Sequence, residues 1–448
     1  MKKNSVSGAL LTWVCIGLLA VTLGCILLKY ITLNVLVERL HVNNAFTEAI
    51  LDLNAETIET LSQGITVDWE ALYPHDGENT IIESPSTPID RYRERIQGAE
   101  TDISSYATEM LPFYRDAVNL AAEFERAIGW NFVPYSEYNG VRVLENGYLA
   151  VFSPDQDVTD SADATVELAE FCARQGADFL YVEYPCKISK YDDPDISGYS
   201  DFSNQRADAF LARMGEAGIP YLDIRENIHE AGLVHRDLFY NTDHHWKAET
   251  GLWASRLILQ ELHDRFGMDT HSEVLDAGNF TMEVYPDWFL GSQGKKVTLA
   301  QATPEDFTLI YPKAETLFHY VIPSLGIDTV GDFSVTYDMS QMEPKDYYGK
   351  NPYGAYNHAD QPLIQIENER VADNGRVLII HTSFSNCVIP FLAMDIKQVD
   401  ALDLRHFTGS VRSYIEQTQP DVVIVASTCG QEGAVNDWVT HTNIWDFS

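Results

Sequence analysis

The chain has 448 residues, 45% of them hydrophobic, which is enough for a large buried core. Its 67 acidic residues against 30 basic ones give a formal net charge of −37. That balance excludes a nucleic-acid partner, which needs a basic surface, and electrostatic capture of anionic polymers or lipid by the bulk of the domain.

The first element reads as membrane-targeted. Lys2 and Lys3 precede "SVSGALLTWVCIGLLAVTLGCILL", and no charge falls between Lys3 and Lys29. The run exceeds the roughly 20 apolar residues that span a bilayer. No convincing small-residue cleavage site accompanies it, so residues 6–28 are predicted to be an uncleaved signal anchor; a cleaved signal peptide is the alternative. The leading lysines put residues 1–5 in the cytoplasm and the body outside, as a single-pass protein of the cell membrane. Residues 29–125 read as a helical stalk followed by a surface segment. Leu33, Val35, Leu36, Leu40 and Phe46 carry helical spacing, and residues 66–95 are rich in Pro, Asp, Glu, Ser and Thr.

Residues 126–448 alternate between strand and helix patterns. "FLYVEY" (Phe179–Tyr184) is a short apolar run ending at Pro185. "SNQRADAFLARMGEAG" begins with a cap-type serine and ends in glycine, which predicts a helix. "IPYLDI" is the next strand, and "AETGLWASRLILQELHDRFG" is a helix that stops at Gly267. "RVLIIH" (Arg376–His381), a helix from about Phe384, "QVDALDL" (Gln398–Leu404), a helix over Val411–Gln417 and "PDVVIVAS" (Pro420–Ser427) complete the series. Such alternation implies a mostly parallel sheet covered on both faces. Residues 270–370 break the rhythm with Tyr, Pro, Gly and Asp, and read as a large insertion near the site. Cys172, Cys186, Cys387 and Cys429 lie in this domain. They allow three disulfide connectivities, among which sequence does not choose, and buried free thiols are an equal reading.

Two segments carry chemistry. "RVLIIHTSFSNCVIPFLA" is a buried strand followed at once by a helix, with Ser383 at the turn. Open α/β sheets bind ligands at this end of their strands, and a helix start can stabilise developing negative charge. A serine hydroxyl needs an adjacent base to act as a nucleophile. "TDHHW" (Thr242–Trp246) supplies one in His245, with Asp243 as the carboxylate that orients it. In an extended loop Asp243 and His245 share a side and His244 points away. His245 is expected to titrate near about 6.5, or higher beside an ionised Asp243. Trp246 is expected in the core. A metal site of Asp243, His244 and His245 with His235 or His229 matches no common ligand spacing, and a merely polar loop is the remaining alternative. The reading calls for no metal and no cofactor.

With these residues the sequence resembles the bacterial DHHW proteins, related to the SGNH-hydrolase-like proteins of alginate O-acetylation (the AlgX/AlgJ type). "ENGYL", "YVEYPCK", "FLGSQGKK" and "PDVVIV" extend the resemblance over roughly residues 125–430. It implies a three-layer α/β/α sandwich in circularly permuted order, with Ser383 as nucleophile, His245 as base and Asp243 as its orienter. The family's usual Gly-Asp before the serine is His381-Thr382 here. Gly409, Asn386 and Arg405 are candidates for oxyanion or substrate contacts. The implied function is that of an extracytoplasmic O-acyltransferase or acylesterase acting on a cell-surface glycan or exopolysaccharide. A transferase of this kind works with a membrane-bound O-acyltransferase partner that exports acyl groups. The alternative is a catalytically inactive glycan-binding or assembly protein that keeps the fold.

Overall fold

Continuous apolar runs build the centre of the molecule. A computed structural model describes residues 137–138, 141–144, 147–192, 200–433 and 443–448. The chain divides into two units, Met1–Gly98 and Ala99–Ser448, and every described residue belongs to the second. The signal anchor and stalk predicted over residues 6–28 and 29–125 lie outside the described residues. Among the described residues no helix is long and apolar enough to cross a membrane.

Three short strands come first: β1 (Glu137–Tyr138), β2 (Val141–Val143) and β3 (Leu149–Ala150) form a small antiparallel sheet. The chain then runs through α1 (Thr159–Gln175), β4 (Asp178–Tyr184), α2 (Ser203–Glu216), β5 (Tyr221–Asp223), α3 (Ile224–Glu230) and α4 (Ala248–Phe266). Strands β6 (Phe280–Phe289) and β7 (Glu305–Pro312) pair antiparallel with α5 (Ser292–Gln301) between them. Next come β8 (Phe318–Ile322), β9 (Ile327–Gly331), β10 (Leu363–Asn368) and β11 (Arg376–His381). The chain closes with α6 (Ile389–Leu392), β12 (Gln398–Asp403), α7 (Val411–Thr418) and β13 (Val422–Thr428).

The central sheet has the order β5-β4-β13-β11-β12-β10-β8-β9. Its first five strands are mutually parallel, and the last three are antiparallel to their neighbours. Side-chain alternation sorts each parallel strand between two apolar layers. Leu180, Val182, Val377, Ile379 and Ile424 join one cluster with Ile258 and Leu262 of α4. Phe179, Tyr181, Leu378, Ile380 and Val425 join the other, with Leu168 of α1, Phe210 of α2 and Ile415 of α7. The result is helix, sheet, helix, an α/β architecture with both sheet faces covered.

Two sequence expectations change here. Residues 270–370 are more than an irregular insertion, because β8, β9 and β10 extend the central sheet. β8 and β10 alternate buried with partly exposed residues, so they lack the continuous apolar run of a doubly covered strand. At the start of α2, Phe202 and not Ser203 occupies the cap position, and the Ser203 hydroxyl bonds the Asp201 carboxylate instead.

The parallel strands end together. Tyr184 is level with Thr428, and His381 with Ala426 and Asp403. Helix α4 packs against this edge at backbone distance. A side chain at Gly251 would come within 2.6 Å of the Cys387 carbonyl oxygen, so glycine is required where α4 crosses the segment after β11.

Candidate active site

β11 is buried from Val377 to His381 and delivers the chain to the carboxyl edge of the sheet. Thr382 is extended and leads into a single 3₁₀ turn, Ser383–Cys387. The helix expected from Phe384 is thus a 3₁₀ turn followed by α6, with Pro390 in the first turn of α6. Ser383 is 8% exposed at the head of the turn.

The Asp-His segment is a loop closed by a bridge between Phe239 and Trp246. It is bent and not extended. Asp243 Oδ1 accepts the His245 backbone N–H at 3.0 Å and pairs with His245 Nδ1 at 2.8 Å. The other face of the imidazole edge completes the link, with His245 Nε2 2.7 Å from Ser383 Oγ across 138 residues of sequence. The structure therefore brings Asp243, His245 and Ser383 into one hydrogen-bonded line. The bend also corrects the expectation for His244. It does not point away; its Nδ1 lies 3.1 Å from the same Asp243 oxygen and 3.0 Å from Ser292 Oγ, with its side chain 42% exposed.

Packing locks the imidazole. The Tyr353 ring stacks on His245 with centroids 3.9 Å apart and planes within 12°. Trp246, fully buried as expected, donates its indole N–H to the Phe384 carbonyl at 3.1 Å and so ties the histidine loop to the serine turn. Tyr184 and Ser385 share a hydroxyl hydrogen bond of 3.0 Å that holds the far side of the same turn.

The electrostatics differ from the sequence expectation. Burial pushes His245 down to about 4, with His244 adding to the effect; Asp243 pulls upward and is outweighed. Burial alone would raise the Asp243 carboxyl. The adjacent His244 and His245 overcome it and hold the group well below the usual carboxylate range. At neutral pH the site therefore contains an ionised Asp243 and a neutral imidazole.

A second ring of residues positions the loop, and sequence reasoning assigned none of them a role. The Glu305 carboxylate accepts hydrogen bonds from Asn241 N at 2.7 Å, Asn241 Nδ2 at 3.0 Å, Thr242 N at 2.7 Å and Thr242 Oγ1 at 2.7 Å. Ser292 N donates to Asp243 Oδ2 at 2.7 Å. A side chain at Gly291 would collide with Asp243, so only glycine lets the β6–α5 turn approach this closely. Lys187 donates to Asn241 O at 2.9 Å, and burial lowers its pKa to about 7. Lys187, Gly291 and Ser292 lie inside the quoted "YVEYPCK" and "FLGSQGKK" blocks, which were the available signal. Glu305 and Tyr353 had none.

Of the proposed oxyanion or substrate contacts, Asn386 is buried three positions after Ser383 and donates to Asp360 Oδ1 at 2.9 Å. Arg405 lies 3.2 Å from the other Asp360 oxygen and also pairs with Asp403. Asp360 thus joins the two, whereas Gly409 is exposed against the Phe407 ring and outside that chain. Asp243, His244 and His245 offer three ligand atoms within 4.8 Å of one another. Either histidine that the metal reading would add is engaged elsewhere: His235 Nε2 on the Cys186 carbonyl at 2.7 Å, and His229 stacked on Tyr191. His381 and Thr382, just before Ser383, are buried; His381 Nε2 and Thr382 Oγ1 have no hydrogen-bond partner among the described residues.

Residues 148–288 match the family described as SGNH hydrolase-like domain, acetyltransferase AlgX. That segment is similar to the SGNH hydrolase-like domain of the acetyltransferase AlgX. The matched segment contains Asp243 and His245 and ends before Ser383. No curated protein matches the chain. Among solved structures, Bacillus cereus PatB1 with a sulfonyl adduct is similar over 69% of this chain and 98% of its own, at 18% identity and a TM-score of 0.57, a likeness of fold. A DHHW family protein from Eubacterium siraeum matches over 66% of this chain and 93% of its own, at 14% identity and a TM-score of 0.49. The O-acetyltransferase domain of Pseudomonas putida AlgJ matches over 67% and 94%, at 13% identity and a TM-score of 0.42.

The clamp on the SGNH-like loop gives a prediction. Glu305→Ala leaves the Asn241 and Thr242 N–H groups without their acceptor and frees the chain just before Asp243. The rate of Ser383 modification by a sulfonyl fluoride, followed by intact mass, is expected to fall on the order of 10²-fold, as for an ångström-scale misplacement of a reacting group. Glu315→Ala, at an exposed surface position, serves as the control and is expected to react at the wild-type rate. An unchanged rate in Glu305→Ala would show that the loop holds without the clamp.

Proposed function

We propose that this SGNH-like domain is a serine O-acyltransferase or acylesterase acting on a cell-surface glycan or exopolysaccharide. The observation that carries the reading is the unbroken line from Ser383 Oγ through both nitrogens of His245 to Asp243 Oδ1, at 2.7 and 2.8 Å. The family match supports the acyl-transfer chemistry. In this mechanism neutral His245 takes the Ser383 proton as Oγ attacks the acyl carbonyl. Asp243 holds the Nδ1 proton and stabilises the imidazolium that forms. The tetrahedral intermediate collapses to an acyl-serine as the leaving group takes the proton from His245. A sugar hydroxyl or water, deprotonated by the same imidazole, then removes the acyl group. No metal or cofactor takes part in these steps. Asn386 is the proposed oxyanion or substrate contact, with Asp360 and Arg405 behind it.

The same proposal includes the sequence-level context. Residues 6–28 anchor the chain, the domain lies outside the cell membrane, and the Asp-His element ahead of the serine corresponds to a circularly permuted SGNH order. Acetyl-CoA does not reach that compartment, so a transferase draws acyl groups from a membrane-bound O-acyltransferase partner. Protease added to intact, wall-stripped cells is expected to digest the body of the chain; a protected body reverses the topology.

A triad works as one device, so its losses do not multiply. With a chromogenic acetyl ester, Ser383→Ala is expected to lower the rate on the order of 10⁴-fold or more, and adding His245→Ala to cost less than about tenfold further. Two independent, multiplying losses would separate the residues functionally. An inert wild-type protein that still binds glycan would favour the non-catalytic alternative, which the His381-Thr382 departure motivates.

The depressed His245 pKa sets the pH profile. The base is neutral above its folded value, so kcat/KM is expected to rise through about pH 4 and level off by about pH 5.5. An acid limb centred near about 6.5, the value of an unperturbed imidazole, would mean that burial does not govern the base. The stability consequence has the same sign. Between about 4 and about 6.5 the unfolded chain takes up a proton that the folded site refuses, so this group's contribution is present above that window and is lost as pH falls through it.

A further inference from the structure

Cys186 and Cys429 are 243 residues apart in sequence, yet their Sγ atoms lie 3.4 Å apart. A disulfide bond is about 2.05 Å long, so the sulfurs need to close by roughly 1.4 Å. The sheet explains the approach. β4 and β13 are parallel neighbours with Tyr184 level with Thr428, and Cys429 N donates to Tyr184 O at 2.9 Å. Cys429 is therefore fixed one residue past β13, beside the Pro185-Cys186 turn that ends β4. The remaining sulfur contacts are weak: Cys186 Sγ with Ser203 Oγ at 3.2 Å and with the Ile188 carbonyl at 3.4 Å, and Cys429 Sγ with Asn204 Oδ1 at 3.5 Å. The other two cysteines of the domain are separated by the sheet. Cys172 is buried in the layer of α1 and α2, and Cys387 in the layer of α4. Only one of the three connectivities left open by sequence starts from sulfurs already in contact.

We propose that Cys186 and Cys429 are a thiol pair that oxidises to a disulfide joining the carboxyl ends of β4 and β13. The oxidant is a small-molecule or protein disulfide. Cys186 is the more exposed member, and its thiolate attacks one sulfur of the oxidant and expels the first thiol. Cys429 then loses its proton and attacks the Cys186 sulfur, expelling the second thiol. One S–S bond forms as one breaks, and two electrons pass from the pair to the oxidant.

The bond has a structural target. Lys187 follows Cys186 directly and supports the Asn241 carbonyl beneath the Asp243–His245 loop, while the Cys186 carbonyl receives His235. A link at Cys186 thus anchors the turn from which the lysine reaches the candidate active site. The proposal depends on neither the acyl-transfer reading nor the membrane topology.

The test uses the purified full chain, reduced and then equilibrated with glutathione disulfide, alkylated, and digested without reduction. The expected product is a cross-linked peptide pair containing Cys186 and Cys429. The oxidised protein is expected to melt roughly 5 °C or more above the reduced one, in line with closure of a long loop, and the difference is expected to vanish in Cys429→Ser. Glutathione retained on Cys186 with Cys429 alkylated, or both thiols alkylated, overturns the proposal. The peptide result needs only the wild-type chain, so it stands even if the serine variant does not fold.

Discussion

The structure around the site depends on one constraint: a carboxylate has been taken out of water and must be satisfied by the protein. Asp243 is 2% exposed. An ionised carboxylate in such a place is stable only when hydrogen-bond donors surround it. His245 supplies its backbone and ring N–H groups, and Ser292 supplies a backbone N–H from another element. The bend that brings two donors from one residue onto one oxygen rules out an extended loop. It also draws His244 onto the same carboxylate. The approach of Ser292 in turn demands glycine at 291. Much of the local sequence is thus dictated by one buried negative charge.

The second requirement is that two segments far apart in sequence meet within a few tenths of an ångström. The parallel sheet supplies coarse placement, because β11 ends level with its neighbours and presents Ser383 at their shared edge. Fine placement comes from contacts that tie one segment directly to the other. The Trp246 indole bonds the Phe384 carbonyl, Tyr353 stacks on His245 while its hydroxyl lies 3.3 Å from the same carbonyl, and α4 crosses Cys387 at backbone distance. These are buried, rigid groups with few rotamers, and they hold an imidazole better than long polar side chains would.

The parallel half of the fold was legible in sequence because doubly covered strands must be apolar throughout. Arg376–His381 is predicted and observed with the same limits, and α4 stops at Gly267 as expected. The antiparallel half was not legible. β8 and β10 leave alternate residues partly exposed and sit among Tyr, Pro and Gly, so their pattern resembles loop. For the site, residue types together with the family resemblance nominated Asp243, His245 and Ser383, since the chemistry restricts the choice. What failed were properties that only tertiary structure creates. The side on which His244 lies depends on a bend, the pKa of His245 depends on burial, and Glu305 becomes a clamp only when β7 is laid against Asn241.

Under the proposed acyl-transfer role the low pKa of His245 raises a mechanistic question, because a weakly basic imidazole is a poor proton acceptor. Desolvation accounts for it: the charged ring loses water and gains no full replacement in the resting site. Asp243 is the group placed to change that balance. It stays ionised, it already holds Nδ1, and its attraction to the ring grows only when Nε2 takes a proton. Its stabilisation is therefore larger for the imidazolium of the reacting state than for the neutral imidazole of the resting one, which is the difference that lowers a barrier. An arrangement with His245 already charged at rest would forfeit that difference and leave Ser383 without a base. Burial deep enough to keep the ring neutral, beside a carboxylate kept charged, is the combination that would make the pair useful to the proposed serine nucleophile.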